Sequence, residues 1–142
     1  AIQSAAAAIG IHNLTFLDLR SCHILDHDLE TPETTGVDRL LAARAARDLC
    51  GLPTRGTGLI VVQVGSAVTI DVVDAQGVLR GGMILPGPAM WLKSLATAAL
   101  IPELSPHEAD WTGAAQPAGR STRSAILQGL VLGLAGGALS AL

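Results

Sequence analysis

Gly36-Val37-Asp38-Arg39 sets a carboxylate and a guanidinium side by side where a polar loop gives way to a helical pattern. A carboxylate in the first turn of a helix is favoured by the positive end of the helix dipole. There Asp38 has the chemistry of a general base, and Arg39 that of a two-pronged donor for an anionic group. The same residues also read as an ordinary helix start with a solvated arginine. Further along, Val61-Val62-Gln63-Val64-Gly65-Ser66-Ala67-Val68-Thr69-Ile70-Asp71 folds two β-branched runs about a Gly65-Ser66 corner. Such a corner can turn backbone N–H groups toward a phosphate, and it is equally the form of a plain hairpin turn. Val78-Leu79-Arg80-Gly81-Gly82-Met83-Ile84-Leu85-Pro86-Gly87 follows as a third strand that ends by opening a helix.

Other chemistry-bearing residues read more plainly. Asp71 closes an apolar run and reads as satisfying a turn. His23, Asp26, His27 and Asp28 have the look of a metal cluster, with His23 and His27 at helical spacing. The segment has little helical signal, however, so a solvated polar loop is the expectation. His107 lies in a Pro-rich connection and receives no role.

These residues need elements to hold them. Residues 1–9 are Ala-rich and read as a helix stopped by Gly10. Residues 14–19 read as a short strand around Phe16, and 21–35 as a loop with extended stretches. Residues 37–49 put Leu40, Leu41, Ala45 and Leu49 on one helical face. Strands are expected at 59–64, 67–73 and 78–83, with Asp74-Ala75-Gln76-Gly77 joining the last two. A helix is expected over 88–100, then a long connection marked by Pro102, Pro106, Gly113, Pro117 and Gly119. Ser121 or Thr122 caps a last helix. Its apolar run, 125–142, reads as a helix buried against a sheet or another subunit. A membrane span is the alternative, weakened by many Gly and Ala and by the absence of a flanking charge.

Composition narrows the class. Aromatic residues are only 2% of the chain while hydrophobic residues are 49%, so the core must be aliphatic. A net charge of −3 with no basic stripe argues against nucleic-acid binding. Cys22 and Cys50 form no CxxC pair, which suits reduced thiols in a cytoplasmic protein. No basic stretch introduces a signal peptide. The chain opens on Ala1 rather than Met, as expected for a piece of a longer protein.

Taken in order, the motifs resemble those of type III pantothenate kinases and the related Bvg accessory factor proteins. Gly36-Val37-Asp38-Arg39 fits that family's GxDR, and 63–71 fits DxGTAxTxD. Gly81-Gly82-Met83-Ile84-Leu85-Pro86-Gly87 fits GGxIxPG. Ala98-Ala99-Leu100-Ile101-Pro102 is a loose TAxLP, and Gly119-Arg120-Ser121-Thr122 matches a GxxT before a Gly-rich helix. The resemblance implies an α/β fold: a partial RNase H-like domain of the actin and sugar-kinase type, with a three-stranded antiparallel hairpin sheet followed by helices. Residues 1–35 would be the end of an N-terminal lobe with its connecting loop. Residues 36–142 would be the substrate-binding and dimerising half of the second lobe, incomplete at its C-terminus.

The resemblance also implies ATP-dependent phosphorylation of pantothenate, the entry step to coenzyme A, by a cytoplasmic homodimer. Asp38 would be the base, and Gly36, Val37, Arg39 and Thr122 would contact pantothenate. Gly65 and Ser66 would meet ATP, which Mg²⁺ accompanies. Gln63 stands where the family has an Asp that holds a monovalent cation, K⁺ or NH₄⁺, so weaker cation binding is expected. The family's N-terminal DxGNT loop and C-terminal adenosine segment do not occur in this sequence. A non-catalytic regulatory or binding relative on the same scaffold, motivated by Gln63, is the alternative. Neither nucleic acid nor membrane is expected as a partner.

Overall fold

The computed structural model describes residues 4, 7–10, 23–51, 57–98, 101–106 and 118–141. Strands β1 (Leu59–Val64), β2 (Ala67–Val73) and β3 (Leu79–Pro86) form an antiparallel sheet in the order β1-β2-β3. Helix α1 (Val37–Cys50) precedes the sheet, and α2 (Pro88–Ala98) and α3 (Thr122–Leu139) follow it. The fold is α/β, a three-stranded antiparallel sheet followed by helices, as the sequence led us to expect.

Register assigns each side chain to a face. Val61 lies opposite Asp71, which lies opposite Gly82; Gln63, Thr69 and Ile84 form the next row toward the Gly65-Ser66 corner. Because strand side chains alternate, these rows share one face with Val73 and Leu79. Helix α1 covers that face: Leu40 and Ala43 are wholly buried against Val73, Leu79, Ile24 and Leu25. On the opposite face, the backbone of Gly137 in α3 lies against Ile70 and Leu85. A second core unites α2 and α3 through Leu92, Ile126, Leu127 and Leu130, with Leu104 beside them.

A register shift between Val72 and Val73 pairs Val72 with Gly81 and Val73 with Leu79, so Arg80 is the extra residue of a bulge. Its guanidinium reaches Asp74 Oδ2 at 2.7 Å and Asp28 Oδ2 at 3.0 Å. Asp28 belongs to a strap that lies along β3, where His27 forms a parallel bridge with Leu79. Arg80 thus ties the strap and the β2–β3 turn to the bulge. Asp74 accepts the N–H of Val78 at 2.9 Å, the main reason its carboxyl is held below the ordinary 3.8. The hydrogen bond to Asp74 likewise raises Arg80.

Several expectations need correction. The buried stripe of α1 is Leu40 and Ala43, with Val37 partly buried; Leu41, Ala45 and Leu49 are exposed, Leu49 by 86%. The i,i+3 row of Val37, Leu40 and Ala43 packs into the core with Val73 and Leu79, and Arg39 reaches Asp71 on the same sheet face. β3 extends to Pro86, since it pairs with β2 as far as Ala67. Helix α3 begins at Thr122, where the Ser121 hydroxyl accepts the N–H of Ser124 and the Ser124 hydroxyl oxygen accepts the N–H of Ser121, a reciprocal cap. α3 is long and apolar enough to cross a membrane, but a core helix passes the same test. Only 17% of it is buried within this chain, because one side alone meets α2 and the sheet. Of the expected N-terminal helix, Ser4, Ala7 and Ala8 are helical. The expected strand at 14–19, Cys22, His107 and residues 99–100 lie outside the described residues; Cys50 is a free, exposed thiol.

Candidate functional site

The site is built on the face that α1 covers. Asp38 and Arg39 occupy the first turn of α1, which the N–H of Arg39 closes on the carbonyl of Gly36 at 3.1 Å. The Asp38 carboxylate folds back toward Gly36, so that a Cβ at residue 36 would collide with Oδ1. Among the described residues that carboxylate has no hydrogen-bond or ion-pair partner, and Asp38 is exposed to solvent. It is free to accept a proton from a ligand hydroxyl.

Arg39 is differently placed from a solvated arginine. Its Nε lies 3.0 Å from Asp71 Oδ1 and 3.3 Å from Oδ2, and its Nη2 also donates to Oδ1. Asp71 is completely buried and the Arg39 side chain is 14% exposed. Asp71 does not satisfy a turn: it sits mid-face on β2 and receives the guanidinium of α1. Gly82, directly opposite on β3, leaves room for it, since a Cβ there would lie 2.7 Å from Asp71 Oδ1. Sequence reasoning missed this residue. Its signal was a charge on the inward-alternating side of an apolar strand, a position that demands a partner.

One row closer to the corner, Thr69 donates its hydroxyl to Gln63 Oε1 at 3.2 Å. These two side chains offer neutral oxygens to a cation and no carboxylate. Two residues along a strand is about 7 Å, so the Gln63–Thr69 row lies between the Arg39–Asp71 pair and the Gly65-Ser66 corner. At the corner, Gly65 N–H donates to the carbonyl of Ala67 at 2.9 Å, which removes it as a phosphate donor. The exposed N–H and hydroxyl of Ser66 have no partner among the described residues and are the donors that remain. The corner is held from behind by Gly87, whose N–H donates to the Ser66 carbonyl at 3.1 Å. A Cβ on Gly87 would collide with the carbonyl oxygens of both Gly65 and Ser66. The Pro-Gly step that follows β3 is therefore a seat for the corner as well as a helix start.

Gly36, Val37, Asp38 and Arg39 are thus brought onto one face with Asp71, Gln63 and Thr69. Thr122 is not joined to them by any hydrogen bond or ion pair among the described residues. It opens α3, which crosses the other face, and lines an open cleft of about 710 Å³ with Gly119, Arg120, Leu95 and Ile101. The polar cluster in the strap is dispersed: His23 pairs with Asp26 at 3.0 Å, and Asp28 with Arg80. No group of three or more metal-ligating side chains occurs among the described residues.

Comparison with known proteins gives the same direction. The family model for type III pantothenate kinase matches residues 2–140. A type III pantothenate kinase of Rhodopirellula baltica is 39% identical over 115 residues, covering 77% of this chain and 38% of the relative. Those of Desulfovibrio desulfuricans and Dechloromonas aromatica are each 40% identical, over 78% and 84% of this chain. The chain spans about two fifths of the length of these curated relatives, between 38% and 45%. On the extent of that match, this chain belongs to the type III pantothenate kinase family.

Proposed function

We propose that this chain supplies the substrate-binding half of an enzyme that phosphorylates pantothenate with ATP, the first step of coenzyme A biosynthesis. The observation that carries the reading is the pairing of an unpartnered Asp38 carboxylate with a fixed Arg39 on a single helix turn. Asp38 accepts the proton of the pantothenate hydroxyl as that oxygen takes up the γ-phosphoryl group of ATP. Gly36 and Val37 line the turn, Arg39 receives the substrate carboxylate, and Thr122 contacts the same substrate. Gly65 shapes the corner and Ser66 donates to the nucleotide phosphates. Mg²⁺ bound with ATP would neutralise charge on the phosphoryl group. Gln63, with Thr69 beside it, offers a neutral site for K⁺ or NH₄⁺.

Asp38 and Thr122 stand on elements at opposite faces of the sheet, which favours a homodimer in which the pocket is completed at the subunit interface. Residues 1–35 would end the first lobe and 36–142 begin the second, in a cytoplasmic protein. A calorimetric titration of pantothenate, with Asp38→Ala and Arg39→Ala as controls, tests the assignment. Saturable binding that weakens in both controls supports it; binding indifferent to both substitutions removes it. Gln63 motivates a second reading, a binding relative without turnover. K⁺-stimulated phosphorylation by the protein as its gene encodes it would exclude that reading.

A further inference from the structure

Asp71 presents an energetic problem that its surroundings do not solve by stability alone. Its carboxylate is wholly buried, and its partners among the described residues are the Nε and Nη2 groups of Arg39. Its neighbours on that face are Val73, buried in the core, and Thr69 along β2, with Val61 and Gly82 across the ladders. A valine at 71 would fit this mostly apolar, β-branched setting with no desolvation cost. Buried ion pairs replaced by well-packed apolar groups are often neutral or stabilising exchanges. A reason other than stability is therefore needed for the pair.

Geometry provides one. A guanidinium has two hydrogen-bonding edges in one rigid plane: Nε with Nη2, and Nη1 with the second proton of Nη2. Asp71 takes the first edge. The second is left without a partner among the described residues, and the Arg39 side chain keeps 14% of its surface open to solvent. We propose that Asp71 is a positioning residue that locks Arg39 by one edge, so that the other is presented to the carboxylate of the substrate. The inference rests on the pantothenate reading above. It explains why an arginine is required: a lysine ammonium can pair with Asp71 but has no second planar edge. It also gives Gly82 a role, since a side chain there would displace the Asp71 oxygen that anchors the guanidinium.

The test uses two ligands that differ in one group: pantothenate, and the alcohol in which its carboxylate is replaced by hydroxymethyl. Both are titrated calorimetrically into the unsubstituted chain, Asp71→Asn and Arg39→Lys. The unsubstituted chain should bind pantothenate more tightly than the alcohol. Each variant should lose about tenfold or more in pantothenate affinity, the scale of one charge-assisted interaction, with alcohol affinity unchanged. Retained alcohol binding shows at the same time that the variant is folded. Arg39→Lys keeps a cation for Asp71, so it reads the second edge even where Asp71→Asn does not fold. Equal losses for both ligands, no loss for either, or an unsubstituted chain that does not distinguish them would overturn the role of Asp71. Failure of the unsubstituted chain to bind either ligand would instead overturn the pantothenate reading on which it rests.

Discussion

Removing Arg39 should cost far more stability than removing the aspartate it serves. In Arg39→Met, Asp71 stays at 0% exposure with no other partner among the described residues. Breaking a buried pair from that side costs about 3–5 kcal/mol. In Asp71→Val, the guanidinium left behind is 14% exposed and can turn toward water. The cost there should be nearer ~1 kcal/mol, the lower end for an unmet hydrogen-bonding group. The double variant Arg39→Met/Asp71→Val removes both charges and should be more stable than Arg39→Met alone by about 2 kcal/mol or more. Urea unfolding with unchanged m-values would measure all four corners of the cycle. In thermal melts, the single Arg39 variant should fall by roughly 10 °C. The reasoning fails if the two single substitutions cost the same, or if the double variant is as unstable as their sum. Either result would mean that the buried carboxylate is satisfied by something other than Arg39.

Other outcomes are expected. Asp38→Asn should lower phosphorylation by about 10²-fold or more while sparing pantothenate affinity, as loss of a general base does; steady-state kinetics on the protein as its gene encodes it, with parallel titrations, will show it. Gly87→Ala should weaken ATP binding more than pantothenate binding, because the added methyl pushes the Gly65-Ser66 corner off its seat; a nucleotide titration reads this, and unaltered affinity would refute the seat. Asp74, held below 3.8 in the folded chain, contributes stability that is fully present above that value and lost as pH falls through its lowered folded value. Acid unfolding of Asp74→Asn should therefore converge on that of the unsubstituted chain as pH falls through the lowered value of the Asp74 carboxyl. Leu40→Ala should cost about 2–5 kcal/mol by chemical unfolding, whereas Leu49→Ala should cost almost nothing.

Much of the scaffold was legible because it is local. The β-branched runs, the Asp74–Gly77 turn and the Pro-Gly helix start each carry their own signal, and β1 and β2 fall where those signals place them. The motif around Asp38 was legible for the same reason. What escaped was non-local. Arg39 of α1 reaches Asp71, 32 positions further on, and the helical period alone placed Leu40 correctly on the buried face but added Leu41 and Leu49, which are exposed. Asp71 itself looked like the end of a run, because nothing nearby reveals that an arginine from another element will meet it. At Gly65, the sequence announced a turn with free N–H groups, but the hairpin's own closure engages one of them.

The seat under the corner also makes the protein legible to light. The Gly87 N–H donates to the Ser66 carbonyl and the Gly87 carbonyl accepts the N–H of Trp91 at 2.8 Å, so a single residue links the corner to the start of α2. The far edge of the Trp91 ring in turn rests on Gly133 of α3. An indole packed between two helices, on a residue whose backbone is two hydrogen bonds from the proposed nucleotide corner, is a built-in fluorophore for that corner. With Trp111 replaced by Phe, the emission of Trp91 becomes a label-free channel for following the Ser66 turn in real time, with no dye and no second protein.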